Sequence, residues 1–130
     1  MPTINDYEFA AVLKLSAQAR YEHFLKQVAD WEEVWSLRTA EGWVLLEDQQ
    51  GQEMVPVWPQ ERYAAACSVD DWGGAEPRSI PLAEWRKTWI PGISGDGRLI
   101  AVFPTPDSKA AVVTVERLTA DLNEELRNYE

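Results

Sequence analysis

The apolar residues of this chain change period near position 33, and that switch limits what it can fold into. Before it, Tyr21, Phe24, Leu25, Val28 and Trp31 recur at helical spacing opposite Arg20, Glu22, Lys26 and Gln27, with Ser16 at the N-cap position. One face of that helix is expected to be buried. After it come three short β-rich runs, VWSLR (34–38), GWVLLE (42–47) and EMVPVW (53–58), separated by polar or glycine-bearing loops, which read as a meander. The loop EDQQGQ offers Gly51 for a positive-φ position, so the stretch from Glu41 to Pro59 reads as a hairpin turning at Gln49 to Gln52. In GWVLLE, Trp43 and Leu45 point to one side and Val44 and Leu46 to the other, so both faces of the strand are apolar and both are expected to be covered. Pro56 has no N–H for a ladder, which places its strand at an edge, at a bulge or near its own end.

Asn5 or Asp6 caps a short helix ending near Leu13, within a loosely attached segment spanning residues 1–15. Pro59 suits the first turn of a helix from Gln60 to about Cys67. DDWGGAEPR reads as a loop, SIPL as a short extended piece, and LAEWRKTW as a helix with Leu82, Trp85 and Trp89 on one side, ending at Pro91-Gly92. Beyond the loop GISGDG, the runs RLIAVF and AAVVTV are joined by PTPDSK and followed by a helix carrying Leu118, Leu122 and Leu126. The chain has 130 residues and no repeat or linker to divide it, so residues 16–130 are expected to form a single domain. The fold class is α+β: a mainly antiparallel sheet of about five strands with helices packed against it.

The ordered set RYEHFLKQVADWEEVWSL, GWVLLED, VPVWP, W-x-x-x-WIPG and LIAVFPTP resembles a family of short bacterial proteins known only as a domain of unknown function (number 2750). The resemblance spans Ser16 to about Leu126 and implies no activity, substrate or catalytic residue. A second, weaker likeness is to the N-terminal domain of the serine-sensitivity-enhancing family. It rests on the order of a strand like VPVWP running into a helix, then a strand, a proline-bearing turn, a strand and a helix, and it implies a binding module rather than an enzyme.

Catalytic chemistry has little to draw on. The one histidine, His23, falls on the polar side of its helix beside Glu22 and Lys26, where a solvated surface residue is expected. The one cysteine, Cys67, has no disulfide partner and sits in RYAAACSV as a small apolar residue on a helix, in keeping with a reducing compartment. No G-x-S-x-G, zinc cluster or EF-hand pattern occurs, and GISGDG lacks the Lys-Ser/Thr of a phosphate loop, so neither a metal nor a cofactor is expected. Of the adjacent carboxylates, only Asp70-Asp71, beside Trp72 and Gly73-Gly74, lies where a loop could bring them together on a ligand.

Charge and aromatic content decide the expected partners. A formal net charge of -10 repels phosphate backbones, which argues against nucleic acid and in favour of a basic protein partner. No run of about 18 uncharged apolar residues appears, and the opening MPTINDYEF has no basic stretch followed by an apolar one, so no membrane association and a cytoplasmic location are expected. Seven tryptophans are many for one small core, because each indole must bury about 200 Å² and still find a partner for its N–H. Trp43, Trp58, Trp72 and Trp89 are therefore the candidates for half-exposed binding residues, together with Asp70 and Asp71. The expected function is a non-catalytic protein-interaction or regulatory module, in its narrower form an inhibitor or immunity-type protein covering a basic site. The alternative is a small-ligand binder or hydrolase using an aromatic cleft near Trp58 with Asp70 or Asp71 as acid and base.

Overall fold

A computed structural model describes residues 5–68, 72–106 and 109–128. The Asn5 side chain accepts the Glu8 N–H at 2.7 Å and opens α1 (Asp6–Leu13). Ser16 Oγ accepts the Ala19 N–H and opens α2 (Ala17–Trp31). After α2 come β1 (Glu33–Thr39), β2 (Gly42–Trp43), β3 (Leu46–Glu47), β4 (Glu53–Val57), α3 (Glu61–Ala66) and β5 (Glu76–Pro81). A continuous helical run then comprises α4 (Leu82–Glu84), a π-helical turn (Trp85–Trp89) and α5 (Ile90–Gly95). The chain ends with β6 (Leu99–Val102), β7 (Ala111–Val113) and α6 (Val115–Arg127), whose N-cap Thr114 accepts the Arg117 N–H.

The architecture is α+β, and the strands among the described residues divide into two sheets instead of one. The first has the order β2-β1-β5 and is antiparallel; the second has the order β3-β4-β6-β7, antiparallel except for the parallel β4–β6 pair. The run GWVLLE explains the division. It pairs with β1 as far as Val44, whose N–H donates to the Leu37 carbonyl, then leaves for the second sheet and pairs with β4 from Leu46. The hairpin turn forms as expected: the Asp48 N–H donates to the Gln52 carbonyl, and Gly51, at φ 81, donates to the Asp48 carbonyl.

The sheets are joined where β4 runs out. Trp35 and Trp58 exchange both backbone hydrogen bonds, at 2.9 and 2.8 Å, in an antiparallel bridge. Two residues earlier, Pro56 has no N–H with which to continue that ladder toward β1. Its carbonyl instead accepts the Ser36 hydroxyl at 2.7 Å, and β1 turns to Val44 for its next partner. Proline thus marks the point at which one strand edge is handed from one neighbour to another.

Register assigns the two faces of the second sheet. Val55 and Val57 of β4, Ile100 and Val102 of β6 and Val113 of β7 alternate into the core with Phe24, Val28, Leu118 and Leu122 from α2 and α6. The opposite face carries Leu46, Met54, Ala101 and Val112, one from each strand. α3 packs on β1 and β5 of the first sheet.

Several sequence expectations are corrected. EPR belongs to β5 and not to a loop: Glu76 to Pro81 pair with β1 along their length, and Pro77 and Pro81 are tolerated because β5 is an edge strand. The helix after Leu82 does not stop at Pro91-Gly92. The Ile90 N–H reaches back to the Trp85 carbonyl in a π turn, and this widened turn precedes Pro91, whose ring would clash in a regular helix interior. Arg20 is buried and not on the solvated side of α2, whereas Trp31 is 45% exposed.

His23 is half-buried near the rings of Tyr63 and Phe103 rather than solvated. Burial holds its pKa below the ordinary 6.5; Glu8 raises it and Lys26 lowers it. The fold therefore favours neutral imidazole, while the unfolded chain takes up a proton as pH falls below that ordinary value. The stability contribution is complete above it and declines below it. Urea titrations between about pH 7.5 and pH 5.5 should show the wild type losing more stability than His23→Gln over that interval.

Candidate functional site

The outer face of the second sheet forms the floor of a groove of about 820 Å³. Leu46 and Met54 face each other, as do Ala101 and Val112 two residues further along the sheet, and Val112 is 48% exposed. The tip of the β3–β4 hairpin, Glu47 to Gln50, forms one end; Trp72, Pro104, Thr105, Pro106 and Lys109 form the other borders. The tip is fixed from within: Asp48 Oδ1 accepts the N–H groups of Gln50 and Gln52, both at 2.9 Å, and the Gln52 side-chain amide donates to the Gly97 carbonyl. Glu47 has no ion pair among the described residues, so the hairpin end of the groove is negative.

The far wall is held from behind by side chains of the core. Arg20 donates through Nε to the Phe103 carbonyl (3.1 Å) and through Nη2 to the Lys109 carbonyl (2.7 Å), on either side of residues 104–108. It also reaches the Leu15 carbonyl at 2.6 Å. Phe103 sits at φ 59, an unfavourable region for a bulky residue, and is held there by the Arg20 bond and by its own N–H to the Val57 carbonyl. The next carbonyl, that of Pro104, accepts both Trp58 Nε1–H (2.8 Å) and Cys67 Sγ–H (3.3 Å). Trp72 closes this side by meeting Trp58 edge to face, centroids 6.3 Å apart, and the Ser68 hydroxyl donates to the carbonyls of Trp72 and Ala75.

The structure separates the residues singled out from the sequence. Trp72 is half-buried at the groove, but Trp58 is 0% exposed and belongs to the core, since its indole N–H is satisfied inside by Pro104. Its position at a strand end had suggested partial exposure; the bridge to Trp35 draws it inward. Asp70 and Asp71 lie outside the described residues. Trp43 and Trp89 are also half-buried, yet they line a separate cleft of about 580 Å³, where their rings meet at 4.6 Å. Arg20 was missed as the residue that braces the groove. Its spacing with Phe24 and Val28, four and eight residues on, places it on the buried stripe and was the available signal.

Burial pushes the Cys67 thiol up to about 11, opposed by a side-chain hydrogen bond with Trp58 and by the charge of Arg20. At neutral pH it is a protonated thiol, a poor nucleophile. Labelling of the native protein with a thiol reagent at about pH 8 should be at least about tenfold slower than labelling of the urea-unfolded chain, as a stopped absorbance assay would read. Equal rates would place the thiol outside the wall.

A family model described as Protein of unknown function (DUF2750) matches residues 21–122, a span that includes the lining of both clefts. No curated protein matches the chain.

Proposed function

This chain belongs to the DUF2750 family, and we propose that it is a non-catalytic binding module that docks a short, extended, basic segment of a partner protein on the outer face of its second sheet. The observation that carries this reading is the apolar set Leu46, Met54, Ala101 and Val112 at the floor of an acid-ended groove. Four adjacent strands give three steps of about 4.8 Å, or roughly 14 Å, enough for about four extended residues. Apolar side chains of the segment would cover Val112 and pack against Trp72. Lys or Arg would meet Glu47 and Asp48, with the charge of -10 adding steering over a longer range. An inhibitor that covers a basic site on a partner enzyme is the narrower form of the same reading.

The hydrolase alternative draws less support. The described groove residues set no base beside Cys67, and burial disfavours its thiolate. Asp70 and Asp71, on which that reading depends, are outside the described residues.

Selection of a random peptide library on the immobilised protein tests the proposal. Enriched sequences should alternate apolar residues with Lys or Arg, bind more weakly as salt rises, and lose at least about tenfold in affinity to Val112→Asp or Trp72→Ala, as buried interface anchors do. The groove is not the docking site if enriched peptides are acidic, or if they bind both folded variants as they bind the wild type.

A further inference from the structure

The second cleft has features that peptide docking in the groove does not use. Its floor is apolar, made of Leu45, Val55, Ile80 and Ile93, and its wall carries two indoles, Trp43 and Trp89, backed by a third. Trp85 is 1% exposed and stacks on Trp89, centroids 5.7 Å apart at 27°. Trp89 in turn meets Trp43 edge to face at 79°. The two stacked rings are the first and last residues of the π turn, and such turns recur at functional sites.

Four charged residues line the cleft: Arg38, Glu84, Asp96 and Arg98. Arg98 is engaged, bonding Asp96 at 2.8 Å and Glu53 at 3.1 Å. Arg38 is different. The other arginines bond a carboxylate, as Arg62, Arg78, Arg117 and Arg127 do, or an amide or carbonyl oxygen, as Arg86 and Arg20 do. Arg38 has no such partner among the described residues, and its guanidinium lies over the Trp43 ring, 5.4 Å from the centroid. A guanidinium placed over an indole keeps in-plane N–H groups for a carboxylate, which it can hold through two parallel bonds. The hydroxyl groups of Ser79 and Thr88, also in the lining, make no hydrogen bond among the described residues.

We propose that this cleft is a second binding site, for a small flat carboxylate whose ring packs between the Trp43–Trp89 pair and the apolar floor while its carboxylate binds Arg38. Flatness follows from the two indole walls, and the negative charge from the guanidinium that has no carboxylate of its own. Glu84 is the opposing charge in the lining.

The test uses the indole N–H region of the two-dimensional 1H–15N spectrum, where the seven tryptophans give separate reporters. Trp43→Phe and Trp89→Phe assign their two peaks. The probe is benzoate, with benzylamine and benzyl alcohol as comparators of similar size and different charge. Benzoate should shift the Trp43 and Trp89 peaks saturably. Arg38→Gln, at an exposed position, should weaken that binding at least fivefold while leaving the remaining spectrum intact. Stronger binding of benzylamine, equal binding of the alcohol, no saturable shift at either peak, or unchanged affinity in folded Arg38→Gln would each overturn the proposal.

Discussion

The paired backbone hydrogen bonds between Trp35 and Trp58 are the contact on which the rest of the molecule depends. Each sheet alone is small, three strands or four, and several of those strands are only two or three residues long. Short strands with one exposed face have little independent stability. Joined at Trp35–Trp58, and beside it by Ser36 to Pro56, they enclose one hydrophobic core that runs from Tyr21 and Phe24 of α2 through Val57 and Trp58 to Ile80 and Trp85.

The same junction places both clefts. Trp58 lies beneath the groove, where its ring supports Trp72 and its N–H holds the Pro104 carbonyl. Val55, two residues before Val57 on the same strand, is part of the floor of the indole cleft. Arg20 then secures the groove wall by a different means, binding the carbonyls of Phe103 and Lys109 from the core side. Buried guanidinium groups are tolerated when their donors are met, and here carbonyls from three separate segments meet them. The frame presents two dissimilar recessed surfaces, with His23 against Tyr63 and Phe103 and Cys67 bonded to the Pro104 carbonyl behind the groove wall.

What could be read from the sequence was what local spacing determines. Ser16 as one cap and Asn5 or Asp6 as another, the Tyr21, Phe24, Leu25 and Val28 stripe, the Gly51 turn and the Leu118–Leu122 face each depend on residues within a few positions of one another, and the structure gives the first cap to Asn5. What escaped was set by partners distant in sequence. GWVLLE looked like one strand because both its faces are apolar; in fact it is two strand ends serving different sheets. The π turn absorbs Pro91, and a proline usually read as a stop does not end the helical run. Four tryptophans were candidates for half-exposed binding residues, yet Trp58 is interior and the others divide between two clefts whose walls come from segments distant in sequence.

Native-state hydrogen exchange at two amides tests this account most directly. If the Trp35–Trp58 junction unites the sheets, the N–H groups of Trp35 and Trp58 should exchange only through global unfolding, with the same dependence on denaturant as the most protected amides of α2 and β6. If instead those two amides exchange through a local opening while both sheets stay protected, or if the sheets lose protection at separate denaturant concentrations, the junction is not what holds the clefts in place.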